Sequence, residues 1–181
     1  MVVAEPTCKQ NGGKMKTRNI VLSSIIGALY VVLTIGLAPF SFGPIQFRIS
    51  EILKVFVLYN PFLTIGIGIG TLFANIFSPY AGPWELIWMP FTDMAGGLIA
   101  WAIYYYVLHK HSPVFSMTVY ALTTGASVAL MLTIMGAGEF WFNFISVGLS
   151  ELIILIIGIP VIFGIEKILS KRGINIRFDK I

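Results

Sequence analysis

FISVGLSELIILIIGIPVIFGIEKIL, residues 144–169, is an apolar run in which Glu151 is the one charge before Glu166 and Lys167 near its end. At about 1.5 Å per residue, such a helix is long enough to cross a hydrocarbon core of roughly 30 Å. The rest of the chain matches it. The 181 residues are 57% hydrophobic and 11% charged, where soluble domains carry about a quarter charged residues, and the mean hydropathy is +0.88. A water-soluble domain is excluded, and the length leaves room for a bundle of membrane helices with no separate soluble domain.

The net charge of +4 does not point to nucleic acid, because the basic residues are terminal. Lys9, Lys14, Lys16 and Arg18 precede the first apolar run, and Lys167, Lys171, Arg172, Arg177 and Lys180 follow the last. Basic flanks on an apolar body predict two cytoplasmic termini, within reach of anionic membrane lipid. Cys8 is the single cysteine, so no intrachain disulfide forms and no cysteine-based metal spacing exists.

Outward from residues 144–169, six helical segments are expected. Residues 1–18 read as a disordered cytoplasmic tail, 19–170 as a six-helix membrane domain and 171–181 as a basic cytoplasmic tail. The first span runs from Asn19 to Ala38 and stops at Pro39. A signal peptide is the rival reading, but the long apolar stretch favours an uncleaved helix. Residues 39–47 form an outer loop, 48–60 a short amphipathic segment of about 20 Å, and 62–77 a third apolar segment. A fourth helix over 84–108 is interrupted by Pro90. The turn HKHSP (109–113) precedes a fifth span over 114–135, and the loop GAGEFWFN (136–143) precedes the sixth. Lys110 lies on the cytoplasmic side of this topology, and the outer loops carry neither lysine nor arginine.

Charges within the body are costly, at about 2.5–3.5 kcal/mol each near the bilayer centre, so their placement is informative. Arg48, Glu51 and Lys54 are spaced i, i+3, i+6, either as an ion-pair ladder that neutralises a short helix or as a ligand site; both hold together. Asn143, Val147 and Glu151 place a polar stripe down one face of the sixth helix, with Glu151 about 12 Å below Asn143. Interhelical hydrogen bonding is the alternative to a binding role. Glu139 and Trp141 precede Asn143, while Tyr80, Trp84, Glu85 and Trp88 occupy the neighbouring outer loop and helix start. Aromatics there serve as an interfacial belt or as pocket walls for a flat, donor-rich ligand. Asp93 and Asn75 complete a set of polar groups in the outer half.

Gly66, Gly68 and Gly70 (GIGIG) lack the lysine and Ser/Thr of a phosphate loop and are expected to permit close helix packing. Ser23/Gly27 and Ser24/Ala28 form small-xxx-small pairs suited to a helix contact, with a partner protein included. His109 and His111 sit in the cytoplasmic turn, remote from the acids, so no nucleophile–base pair or metal site is expected and no cofactor is implied.

The segments FRISE (47–51), FWFN (140–143) and VGLSELI (147–153), in a six-span chain of this size, resemble the QueT family, the substrate-binding S components of energy-coupling factor (ECF) transporters, which are associated with queuosine precursors. The likeness covers residues 15–170. It implies a non-enzymatic subunit that captures a 7-deazaguanine and passes it to a transmembrane T component and two cytoplasmic ATPases. Ser and Gly stand on the first helix where S components often carry an Ala-xxx-Ala contact, and Ser150 stands where glycine is expected. Glu139, Asn143, Glu151, Glu51, Arg48, Asn75 and Asp93 are the expected ligand-reading groups, with Trp141 or Trp84 stacking on the base. A carboxylate accepts the two parallel donors of a deazaguanine. The alternatives are a stand-alone proton-coupled secondary transporter of a small polar or cationic solute, titrating Glu151 and Asp93, although no internal repeat supports it, and an ECF S component for another vitamin.

Overall fold

The computed structural model describes residues 11–42, 47–79, 81–174 and 176–177. Cys8, Lys9, Tyr80, Lys180, the first ten residues of the expected tail and the middle of the expected 39–47 loop lie outside it. Helices α1 (Asn11–Gly36), α2 (Ala38–Ser41), α3 (Leu63–Asn75), α4 (Pro83–Ala102), α5 (Pro113–Ile134) and α6 (Phe140–Lys171) follow in order, with a 3-10 helix at Ile49–Leu58 and a π-helical extension of α4 at Ile103–Val107. No strand occurs among the described residues.

Four helices are long and apolar enough to cross a membrane: Thr17–Gly36, Pro83–Val107, Pro113–Ile134 and Phe140–Lys171. Apolar α3 is shorter, with 13 residues, which is about 20 Å. The ten-residue 3-10 helix is of similar length at about 2 Å per residue. Neither reaches 30 Å on its own, so of the six expected segments four have spanning length.

Boundaries moved for local reasons. α1 begins at Asn11 and ends at Gly36, and Pro39 opens the single turn α2 instead of ending α1; proline is accepted in a first helical turn, where its missing N–H has no partner to lose. α6 starts at Phe140, four residues earlier than expected, so FWFN is its first turn and not a loop. At the other end of α5, Pro113 follows Ser112, whose side chain accepts from the Phe115 N–H at 3.3 Å.

The 3-10 helix is the centre of the bundle. It lies against α1, α3, α4 and α6, while α5 packs along α6 and α1 along α3. Val55 and Val57 are fully buried, and so are the polar Ser50 and Lys54. The outside is the reverse: Ile20, Ile25, Leu29 and Val32 of α1 and Ile87, Phe91 and Leu98 of α4 are exposed. An apolar exterior around a polar axis is the arrangement a lipid solvent selects.

Close helix contacts rest on glycine, as GIGIG predicted. A Cβ on Gly66 would lie 2.1 Å from the Ser23 carbonyl oxygen, and one on Gly27 would lie 2.6 Å from that of Gly66. The Ser23 hydroxyl donates to the Phe62 carbonyl at 2.8 Å across the same contact. Beside it, Ser23, Ser24, Gly27 and Ala28 border an apolar groove of about 680 Å³ that Ile65, Ile69 and Phe73 also line.

Candidate functional site

A 3-10 helix turns once every three residues, so side chains at i and i+3 eclipse. Glu51 and Lys54 therefore stand in one column, with Arg48, the extended residue just before the helix, at its head. That column is buried, at 4%, 7% and 2% exposure, and it meets acids delivered by two other helices.

Lys54 Nζ donates to Asp93 Oδ1 on α4 at 2.7 Å and to Glu151 Oε1 on α6 at 2.8 Å, and pairs with Glu51 Oε2. Three ammonium protons thus face three carboxylates. The other oxygen of each carboxylate accepts from a hydroxyl on a further helix. Tyr30 of α1 donates to Glu51 Oε1 at 2.7 Å, Thr71 of α3 to Asp93 Oδ2 at 2.6 Å, and Thr124 of α5 to Glu151 Oε2 at 2.5 Å. Tyr120 of α5 donates to the Asp93 carbonyl at 2.6 Å, and its ring lies 5.1 Å from Lys54 Nζ. One hub joins the 3-10 helix to α1, α3, α4, α5 and α6.

Each carboxylate oxygen at the hub has a hydrogen-bond or ion-pair partner, but the charge is not balanced. With all groups ionised, three carboxylates outnumber one ammonium by two charges, which a low-dielectric interior tolerates only with a further cation or bound protons. Oxygens of Glu51, Asp93 and Glu151 lie within 4.8 Å of one another, a spacing that suits a metal ion. Lys54 already pairs with each of them, so a lysine ammonium holds the position such an ion would take.

Arg48, just before the 3-10 helix, forms a second layer. Its Nη1 donates to Asn75 Oδ1 at 3.1 Å, its Nε to the Ser41 carbonyl at 3.4 Å, and its Nη2 lies 3.7 Å from Glu85 Oε1. Phe42 lies beneath the guanidinium, 5.4 Å from its ring centroid. Between the layers is a cavity of about 20 Å³ lined by Arg48, Glu51, Lys54, Asp93 and Glu151 with Met89 and Val128 on its apolar side. That is room for about one water, so a larger guest requires the walls to part.

A family model described as the QueT transporter matches residues 20–167. The chain belongs to the QueT transporter family. Over 67 residues it is 45% identical to a protein of Lactococcus lactis subsp. cremoris named queuosine precursor transporter QueT; the match spans 36% of this chain and 40% of that relative. No solved structure matches it. The family is one of transporters, and the four long apolar helices fit a multi-pass membrane protein.

In this QueT family member, Arg48, Glu51, Asp93 and Glu151 gather at the cavity, and Asn75 joins them through Arg48. Asn143 is on the same inward face of α6 as Glu151, but its amide donates to the Ala137 carbonyl at 3.1 Å and serves the turn before α6. Glu139, the residue that precedes α6, is exposed, and Trp141 is 70% exposed. Starting α6 at Phe140 turns that ring outward, against Phe140 and Phe144. Trp84 is 50% exposed and packs on Trp88. Neither tryptophan lines the cavity. Sequence reasoning did not connect Glu85 with Arg48, and it missed the hydroxyls of Tyr30, Thr71 and Thr124. Isolated hydroxyls in apolar helices carry no signal until a partner is known.

Proposed function

We propose that this chain is the substrate-binding subunit of an ATP-driven importer of the ECF type and that it captures a cationic queuosine precursor, an aminomethylated 7-deazaguanine. The observation that carries this reading is three carboxylates gathered around a single ammonium inside a membrane bundle. A primary ammonium on the substrate would offset part of their charge, and a base edge would meet the amide and carboxylates of the Arg48 layer. Charge-assisted hydrogen bonds contribute about 1.5–3 kcal/mol each, so three of them approach the −8 kcal/mol of a micromolar ligand. The name of the Lactococcus relative agrees with this substrate class.

The distribution of charge supports a six-passage topology, with the 3-10 helix and α3 as the two short passages and both termini in the cytoplasm. Arg18, Lys110, Lys167, Lys171 and Arg172 lie at one end of the bundle, whereas the connections 76–82 and 135–139 at the other end carry no basic residue. The hub lies about 15 Å from that second end, judged by Glu151 along α6 and Asp93 along α4. Substrate would then enter from outside. The apolar groove beside Ser23, Ser24, Gly27 and Ala28 is the surface we assign to the T component, which would couple the chain to two cytoplasmic ATPases.

Calorimetry on the detergent-purified chain tests the substrate. The aminomethyl deazaguanine is expected to bind at micromolar concentration and its 7-cyano counterpart, which lacks the cation, at least about tenfold more weakly. No heat from either compound at high micromolar concentration would reject the assignment. Uptake by the chain alone in proteoliposomes under a pH gradient would replace the ECF reading with a proton-coupled transporter.

A further inference from the structure

The Arg48 layer is left with unmet hydrogen-bonding groups, whereas the hub's Glu51 Oε2, which makes no hydrogen bond, is ion-paired with Lys54. Asn75 Nδ2, Glu85 Oε2 and Ser41 Oγ are buried and have no partner, although Asn75 and Ser41 are fully buried and Glu85 is 4% exposed. Such orphans are uncommon in folded proteins, because each forfeits about 1–3 kcal/mol of desolvation. All three belong to residues gathered around one guanidinium.

That guanidinium decides which atoms face away from it. Arginine only donates, so Asn75 must turn its carbonyl oxygen to Arg48 and leave its NH₂ as a donor. Glu85 likewise spends Oε1 on Arg48 and leaves Oε2 as an acceptor; Ser78 also hydrogen-bonds this side chain. The layer therefore carries a free donor on Asn75 and a free acceptor on Glu85, on two side chains held by the one guanidinium that also lines the cavity, and their polarity is set by a charge that cannot be removed.

We propose that Asn75 and Glu85 read the lactam edge of the substrate base, with Asn75 Nδ2 donating to a ring carbonyl and Glu85 Oε2 accepting the adjacent ring N–H. This rests on the deazaguanine reading above and assigns to Glu85 and Asn75 the discrimination between a 6-oxo and a 6-amino ring. A guanine-type ring has C=O beside N–H along that edge. The 2,6-diamino analogue keeps the size and shape but inverts both groups, presenting a donor to Asn75 and an acceptor to Glu85.

The double variant Asn75→Asp/Glu85→Gln tests this without altering the net charge around Arg48. Arg48 still draws one oxygen from each side chain, so the outward pattern becomes acceptor and donor. Binding of 7-aminomethyl-7-deazaguanine and of its 2,6-diamino counterpart is measured by calorimetry for both proteins. Matching melting temperatures and a single size-exclusion peak establish that the variant is folded. The wild-type chain is expected to prefer the 6-oxo compound by at least about tenfold, equivalent to one well-formed hydrogen-bond pair, and the double variant is expected to reverse that preference. A residue pair with a purely structural role would not reverse it.

Three results overturn the proposal. Equal wild-type affinity for the two compounds would show that the lactam is not read, and leave the broader substrate reading intact. A folded double variant that still prefers the 6-oxo ring, or binds neither compound, would place the reading elsewhere and leave the orphans to water. Failure of the wild-type chain to bind either compound would remove the substrate assignment and this inference together.

Discussion

Replacing Lys54 with methionine is expected to lower the stability of the folded chain by about 3–5 kcal/mol, the cost of leaving buried charges without their partner. The substitution is nearly isosteric, so packing changes little, but Glu51, Asp93 and Glu151 each lose the ammonium and are left facing one another within 4.8 Å. The hub also joins the 3-10 helix to five other helices, so the loss is global. For a chain of this length, the melting temperature in detergent should fall by roughly 10 °C or more. Glu151→Gln is the informative counterpart. Its amide still reaches Lys54 and Thr124 while the charge excess drops by one, so the melting temperature should hold or rise. Affinity for the aminomethyl deazaguanine should nevertheless fall at least about tenfold. A Lys54→Met protein as stable as the wild type would show that the acids do not depend on this ammonium.

Gly66→Val is expected to cost a further large amount, about 3 kcal/mol or more, at a site with no charge. Any Cβ there meets the Ser23 carbonyl oxygen at 2.1 Å, and the obstacle is backbone, so α1 must move away from α3. Separation breaks the hydrogen bond from Ser23 to Phe62 and loosens the neighbouring approach of Gly70 to Gly27. Overpacking of this kind commonly costs 1–3 kcal/mol, and more where the backbone cannot yield. Gly164→Ala in α6 serves as control. Nothing lies within 4 Å of its added Cβ, so the gain in helix propensity should leave stability unchanged or raise it by up to about 1 kcal/mol. Thermal unfolding of the two variants in the same micelle decides the matter; a Gly66→Val protein within 1 kcal/mol of the wild type would contradict the contact.

How much of the site was legible depended on how local its cause was. Arg48, Glu51, Asp93 and Glu151 were conspicuous because a charge in an apolar helix is expensive wherever that helix packs. GIGIG was readable because glycine on a membrane helix has few uses besides close approach. Glu139 and Trp141 lie apart from the cavity because residues expected in a loop are the cap and first turn of α6, which puts Trp141 on the exposed face of that helix while Asn143 in the same turn faces inward. The spacing of Arg48, Glu51 and Lys54 was visible, but the 3-10 geometry that aligns Glu51 with Lys54 was not, since ten residues of it are unusual.

By composition and by the placement of charge, the sequence alone determined that the chain is a helical membrane protein with basic ends and a small set of buried acids. Hydrophobic transfer and the cost of burying a charge act residue by residue, and they need no knowledge of neighbours. Only the tertiary structure decided that one lysine holds three carboxylates, that each carboxylate turns its second oxygen to a hydroxyl from another helix, and that Asn75 and Glu85 share one arginine. Those pairings join residues up to 97 positions apart, and the partner of a hydrogen bond is settled by which helices meet, a property of the whole bundle and not of any segment in it.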